Sequence, residues 1–88
     1  MKTAFKASFL KAIGKIDDNQ LKADITNAIL NVESADNLKQ INNLKKLTGY
    51  KQYYRIRIGN YRIGIKLEAD TVFFVAIDHR KNIYRIFP

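Results

Sequence analysis

The strongest constraint on the fold is a change in the hydrophobic pattern after Gly49. Apolar residues then alternate with polar ones over residues 53–58 and again over 61–66, which is typical of half-buried strands. Gly59 and Asn60 lie between the two segments, and a two-residue connection with glycine first predicts a type II′ turn. The chain is therefore expected to contain a β-hairpin whose register is set by its turn.

That register places two arginines opposite each other. Ile58 should face Tyr61 on one side of the hairpin, while Arg57 faces Arg62 on the other. Like charges directly opposed on a ladder are destabilising, so an anionic partner is expected there. The same face should also carry Tyr53, Arg55 and Lys66. Basic residues beside an aromatic ring suit phosphates and a stacked base, although an ordinary solvated strand face is the alternative.

The residues before Gly49 favour helices. Ser8 is predicted to cap a helix that runs to Ile16, after a short N-terminal strand. Asp17 and Asp18 should begin a second helix that ends near Ser34. The stretch 35–47 is typical of a turn of helix or 3₁₀ helix with irregular chain laid across the core.

The last third of the chain predicts a further strand and a short closing segment. After a turn at residues 69–70, the apolar run 72–77 indicates a central strand covered on both faces. A polar loop is expected over 79–82, and residues 83–87 close the chain. The predicted fold class is α+β: one domain over residues 1–88, with a helical hairpin packed on a mostly antiparallel twisted sheet.

Composition narrows the kind of partner. The net charge is +8 over 88 residues, which favours polyanions, and all five arginines follow residue 54. The chain has no cysteine and one histidine, which excludes thiolate or His-cluster metal sites and makes the cytoplasm the expected compartment. No apolar run is long enough to span a membrane, although the lysine-flanked spacing of the first helix also fits a membrane-surface helix.

A second cluster of reactive side chains follows the predicted central strand. The segment 79–85 contains a possible proton acceptor, three cations and a phenol: His79, Arg80, Lys81, Tyr84 and Arg85. Cleavage of RNA by attack of a 2′-hydroxyl needs a base, an acid and cations, and all are available here without a metal. The alternatives are a structural histidine and a core tyrosine with its hydroxyl at the surface.

Three stretches together resemble the RelE/ParE superfamily of toxins from bacterial and archaeal toxin–antitoxin pairs. They are FKASFLKAI, LKKLTGYKQYYRIRIGNYRIG and HRKNIYRIFP, and the match covers nearly the whole chain. The resemblance implies a cognate antitoxin and no cofactor. RelE-like members are ribosome-dependent endoribonucleases that cut mRNA, whereas ParE-like members inhibit DNA gyrase. A weakened homologue that only binds its antitoxin is the third alternative.

Carried over by position, the RelE-type pattern implies catalytic roles for Arg62, Arg80 and Tyr84, with His79 as a second candidate for the proton. The same pattern also falls on Arg55 and Arg57, and the predicted RNA-binding residues are these two together with Lys66 of the hairpin face and Lys81 and Arg85 of the 79–85 segment. Arginine is a poor general base, so proton abstraction falls to Tyr84 or His79. Relatives often have Asp where this chain has Asn60 and Asn82, and the missing carboxylate at 82 removes a partner for Arg80 or His79.

Overall fold

The computed structural model describes residues 1–88 as a five-stranded sheet with the two longer helices on one face and a short C-terminal helix on the other. Its elements are β1 (Lys2–Phe5), α1 (Ala7–Ile13), α2 (Asn19–Ser34), a 3₁₀ turn (Leu38–Gln40), β2 (Leu44–Lys46), β3 (Tyr53–Ile58), β4 (Tyr61–Glu68), β5 (Thr71–His79) and α3 (Ile83–Ile86). The five strands lie in the order β1-β5-β4-β3-β2, and only the β1–β5 pair is parallel. The predicted fold class is confirmed. None of the helices has the length and apolar character needed to cross a bilayer.

The second helix begins as predicted, but the first does not. The Asp18 carboxylate accepts hydrogen bonds from the backbone N–H groups of Gln20 and Leu21, at 2.9 and 3.1 Å. Ser8 is not a cap: it lies within α1, and its hydroxyl donates to the Val75 carbonyl at 2.6 Å. The predictions of a Ser8 cap and of a helix reaching Ile16 are therefore wrong, because Ser8 bonds to the neighbouring strand and α1 ends at Ile13.

The hairpin register is confirmed. Ile58 pairs with Tyr61 and Arg57 with Arg62. Gly59 has φ +59°, whereas Asn60 does not adopt a left-handed conformation, in agreement with a type II′ turn. Sequence analysis missed β2, which pairs antiparallel with β3 at the edge of the sheet. The prediction of irregular chain up to residue 47 is therefore wrong at 44–46.

The core lies between the helices and one face of the sheet. Its centre is Phe9 of α1 packed against Phe74 of β5, with ring centroids 5.4 Å apart and neither ring exposed. The α2 residues Leu21, Ile25 and Val32 are also buried. Burial of this apolar area is the main stabilising contribution in a domain of this size.

The other face of the sheet is covered only in part. β5 carries a bulge: Gly64 of β4 pairs with Ala76 and the next residue, Ile65, pairs with Phe74, which leaves Val75 without a partner. On this face Ala76 packs against Ile83 and Phe87 of the C-terminal segment, whereas Phe73 is half-buried. The predicted covering of both faces is therefore correct only around Ala76, because α3 is too short to cover the rest.

Candidate functional site

Four arginines meet at one end of the partly covered face. Arg55 and Arg57 come from β3, and Arg62 lies opposite Arg57 on β4. Arg80 follows β5, where its backbone N–H donates to the carbonyl of Asn60 at 2.7 Å and so ties it to the tip of the hairpin. We call Arg55, Arg57, Arg62 and Arg80 the arginine cluster. The only ion pairs in the chain are Lys2–Asp70 and Lys66–Glu68, so no carboxylate lies within ion-pair distance of the cluster.

Arg62 is the most constrained member of the arginine cluster. Its Nη1 donates to the carbonyls of Gly59 and Tyr61, both at 2.9 Å, and its side chain is half-buried. Burial, and then the positive charges of Arg57, Arg80 and Arg55, lower the pKa of its guanidinium from the ordinary value. The group still carries its charge at neutral pH because arginine does not deprotonate in proteins. An anion placed here would relieve this mutual repulsion.

Arg55 adds an unsatisfied donor to the arginine cluster. Its Nε is buried and has no hydrogen-bond partner within the chain. A buried donor without a partner is costly, and a ligand oxygen that reached this atom would remove the cost.

An acidic residue that sequence analysis missed lies beside the arginine cluster. Asp78 is the direct cross-strand neighbour of Arg62, and its Oδ1 accepts the N–H of His79 at 2.7 Å. Strict alternation from Phe74 would turn Asp78 toward the helices and His79 toward the arginines. The bulge at Val75 reverses this assignment.

His79 consequently lies on the opposite side of the sheet from the arginine cluster. Its ring packs edge-on against Tyr61, with centroids 5.6 Å apart, and Tyr61 is partly buried against the main core. Its Nδ1 accepts the backbone N–H of Lys81 at 3.2 Å, which places the proton of the neutral ring on Nε2. The structure does not bring His79 together with Arg62.

The C-terminal helix brings Tyr84 to the face that carries the arginine cluster. Ile83 and Phe87 are buried, and a Cβ at Gly64 would lie 2.5 Å from the Phe87 ring. Tyr84 itself is 60% exposed, and the Arg85 guanidinium lies 6.0 Å from the centre of its ring. α3 therefore lies on the sheet face that carries the arginine cluster, and the phenol of Tyr84 is open to solvent.

The remaining cations lie around this site. Lys81 is exposed in the turn before α3. Lys66 is separated from Arg62 on β4 by Gly64, which lies under the Phe87 ring. The Lys66 Nζ is 2.7 Å from Glu68 and 5.3 Å from the centre of the Tyr53 ring. The hydrogen bond to Glu68 raises the pKa of Lys66, and the same contact lowers the pKa of Glu68. Lys66 is thus partly neutralised and lies apart from the arginine cluster.

Sequence analysis also missed Lys45. It pairs with Arg55 across the β2–β3 ladder and is exposed, so it extends the basic face to the edge of the sheet. A three-residue strand has too short an alternation to be recognised from the pattern alone.

Known proteins of the same architecture match the whole chain. A sequence model described as the ParE toxin of the type II toxin–antitoxin system parDE matches residues 3–84. Toxin RelE3 of Methanocaldococcus jannaschii is 40% identical over 92 residues, covering 100% of both chains. A chain of the RelB–RelE antitoxin–toxin complex from Methanococcus jannaschii superposes with a TM-score of 0.80 at 37% identity, covering 96% of this chain and 98% of that one.

A more distant structure shares the fold alone. A chain of the intact E. coli RelBE toxin–antitoxin complex is 18% identical, with a TM-score of 0.70, and the match covers 89% of this chain and 94% of that one. The assignment to a family rests instead on the match to the ParE toxin model and on the 40% identity to Toxin RelE3. This chain belongs to the RelE/ParE superfamily of type II toxin–antitoxin toxins.

Proposed function

We propose that this toxin is a ribosome-dependent endoribonuclease that cleaves mRNA without a metal. The observation that carries the proposal is the arginine cluster, which has no carboxylate in ion-pair contact and lies on the face to which α3 fixes Tyr84. Guanidinium groups bind phosphate oxygens in pairs, and a preorganised cationic site stabilises the charge that develops on a phosphorane.

The reaction assigns distinct roles to these residues. The 2′-hydroxyl loses its proton to the phenolate form of Tyr84, its oxygen attacks the adjacent phosphorus, and the bond to the 5′-oxygen breaks as that oxygen takes up a proton from water. The products are a 2′,3′-cyclic phosphate and a 5′-hydroxyl. Arg62 and Arg80 stabilise the dianionic transition state, while Arg55 and Arg57 hold the neighbouring phosphates.

Tyr84 is favoured over His79 as the base on grounds of position. His79 lies on the far side of the sheet and its Nδ1 already accepts a hydrogen bond, so we assign it an orienting role only. On programmed ribosomes, Tyr84→Phe should reduce single-turnover cleavage by about 10²-fold or more, in the range of general-base contributions. His79→Gln should reduce it less. A larger loss in His79→Gln than in Tyr84→Phe would instead assign the role of general base to His79.

Lys81, Arg85 and Lys66 are proposed as outer RNA contacts. Lys81 and Arg85 flank Tyr84 in sequence and are exposed, so they can hold phosphates on either side of it. Lys66 must release Glu68 before it can do the same.

A cognate antitoxin is the proposed protein partner. Structures of relatives are antitoxin–toxin complexes, and the +8 charge favours an acidic or amphipathic antitoxin segment on the basic face. Affinity should therefore fall as salt rises, as measured by titration calorimetry at several ionic strengths. Salt-insensitive binding would contradict this arrangement.

The central test compares two variants that each remove one positive charge. Arg62→Ala should reduce cleavage by about 10²-fold or more, the usual cost of removing one transition-state donor. Lys22→Ala removes an exposed charge from α2 in the helical layer and should cleave like the unaltered protein. Thermal unfolding of both proteins reports on folding. If Arg62→Ala folds and still cleaves at the full rate, Arg62 is not part of the site.

Inhibition of DNA gyrase is the second candidate function, because the matching family model is that of ParE toxins. A supercoiling assay with purified gyrase tests it directly. Inhibition of supercoiling together with intact mRNA would favour this candidate, and antitoxin binding without either effect would identify a weakened homologue.

A further inference from the structure

An exposed tyrosine lies at the far end of the face that carries the arginine cluster. Tyr50 belongs to the loop 47–52, which joins β2 to β3, and it is 47% exposed. Its ring is nearly perpendicular to the Tyr53 ring, with centroids 6.2 Å apart. Tyr53 in turn contacts Phe87 of the C-terminal segment, with 5.5 Å between centroids. This row of rings places Tyr50 on the same side of the sheet as the arginines.

The loop that carries the exposed ring is fixed at both ends. The Leu47 N–H donates to the Tyr53 carbonyl at 2.9 Å. The Gln52 carbonyl accepts the Leu67 N–H at 2.8 Å. Between them Gly49 has φ +83°, a left-handed conformation that glycine adopts readily. The loop backbone therefore sets the position of the ring before a ligand binds, which lowers the entropic cost of binding.

Of the two tyrosines at this end, Tyr50 is the one that can take a flat ligand. Tyr53 is half-buried, with Phe87 on one side and the Lys66 Nζ 5.3 Å from its ring centre. The only ring beside Tyr50 is that of Tyr53. Exposed aromatic rings beside cations stack the bases of single-stranded nucleic acid. The stacked base expected for this face is therefore better placed on Tyr50 than on Tyr53.

The charges around the exposed ring favour a polyanion. Lys51 follows it in sequence, and Lys45 pairs with Arg55 across the β2–β3 ladder. Both lysines are exposed and neither forms an ion pair. The carboxylate on this part of the face, Glu68, is 2.7 Å from Lys66 and is thus partly neutralised. Positive charge beside an aromatic ring suits a nucleic-acid strand.

Arg55 connects this end of the face to the arginine cluster. It lies on the same side of β3 as Tyr53 and two residues further along, a separation of about 7 Å in a strand. An RNA strand whose phosphate is held by Arg55 can therefore run along β3 toward the loop 47–52 without crossing the sheet.

We infer that Tyr50 stacks one base of the bound RNA, beyond the phosphate held by Arg55. The inference rests on the proposed endoribonuclease function and adds a nucleotide subsite to it. No base is preferred, because every base has a flat face that stacks on a ring. A protein segment is the less favoured occupant, since one exposed ring among lysines offers little apolar area to an anchoring side chain.

The first test measures binding of a 2′-O-methyl oligoribonucleotide of mixed sequence to the full chain. This RNA lacks the attacking hydroxyl, so binding is observed without cleavage. Tyr50→Ala should raise Kd about 5-fold or more, the contribution of one stacked base, whereas Tyr50→Phe should bind like the unaltered protein. Leu30→Ala removes an exposed apolar side chain from α2 and is the matched control, with an unchanged Kd. An unchanged Kd for Tyr50→Ala would overturn the inference.

The salt dependence of binding separates stacking from a change in charge. Tyr50→Ala should leave the slope of log Kd against log salt unchanged. Arg57→Ala should lower that slope by about 0.7, the value for one phosphate contact on a single strand. A slope that falls as much in Tyr50→Ala as in Arg57→Ala would contradict stacking, because the loss would then come from displaced cations.

A tryptophan in the loop reports stacking directly, because the chain has no tryptophan of its own. The fluorescence of Tyr50→Trp should be quenched by the oligoribonucleotide but not by inorganic polyphosphate, which carries charge and no base. Phe5→Trp replaces an exposed ring on the helical side of the sheet, next to Phe74, and should be quenched by neither. Equal quenching of Tyr50→Trp by polyphosphate would overturn the inference.

The outcomes distinguish this inference from the proposed function. If RNA quenches Tyr50→Trp but no variant cleaves mRNA on ribosomes, the proposed function fails and the subsite stands. If the unaltered protein cleaves and Tyr50→Ala binds RNA equally well, the inference alone fails. Weaker antitoxin binding by Tyr50→Ala, with unchanged RNA binding, would assign the ring to the protein partner instead.

Discussion

Gly64→Ala should loosen the C-terminal helix. A Cβ at this position would lie 2.5 to 2.7 Å from three carbons of the Phe87 ring, where ordinary contacts are 3.4–4 Å, so the ring must withdraw by about 1 Å. If the ring shifts but stays buried, overpacking costs about 1–3 kcal/mol. If the ring leaves its site, the protein loses the burial of the Phe87 side chain, which is 2% exposed in the folded state. That loss costs about 1.5–3 kcal/mol. Both limits predict a loss of about 1–3 kcal/mol in the free energy of unfolding.

The assay is urea or thermal unfolding, combined with amide hydrogen exchange. In a domain of this size each kcal/mol lowers Tm by about 4–8 °C. The N–H of Phe87, which donates to the Ile83 carbonyl at 2.9 Å, should lose protection first. Cleavage should fall as well, because α3 carries Tyr84.

Two further variants make the reasoning refutable. Gly14→Ala is the matched control: its Cβ would lie 3.5 Å or more from its neighbours and its φ is −60°, so this protein should be as stable as the original or slightly more so. Gly64→Ala should lower the free energy of unfolding much less in a protein that also carries Phe87→Ala, because the ring that the new Cβ would meet is then absent. An unchanged stability and an unchanged Phe87 protection in Gly64→Ala would refute the packing argument.

Two other predictions concern the cap of α2 and the ion pair on the sheet. Asp18→Ala should destabilise the protein by about 0.5–2 kcal/mol in urea unfolding through loss of the N-cap, whereas Asp17→Ala, which makes no cap, should change little. Lys66→Met should raise the pKa of Glu68 toward its ordinary value, measured by NMR titration of the carboxyl carbon. Because that pKa is lowered in the folded protein, the pair's contribution is present above the unfolded pKa of Glu68 and is lost as pH falls through the folded value. A Glu68 titration that does not move would contradict this pairing.

The sequence by itself determines the parts of the fold that depend on local geometry. The type II′ turn needs only Gly59 in a left-handed conformation, and it sets every pair of the hairpin, including Arg57 with Arg62. The cap of α2 likewise needs only Asp18 and the two N–H groups that follow it. For this reason three of the four members of the arginine cluster could be placed on one face before any tertiary contact was known.

Residues whose surroundings come from distant parts of the chain could not be placed in this way. The hydroxyl of Ser8 has the chemistry of a cap but donates to Val75, which is 67 residues away. The strand β2 is recognised by its pairing with β3 rather than by its own three residues.

The largest effect of tertiary structure is the choice of proton-handling side chain. The bulge at Val75 turns Asp78 toward Arg62 and sends His79 to the helical side of the sheet. Nothing in the apolar run 72–77 marks where one extra residue is accommodated, because the bulge forms only when β5 pairs with β4. Local sequence determines which reactive groups this chain possesses, and strand pairing decides which of them share a face, since a one-residue shift moves every following side chain to the other side.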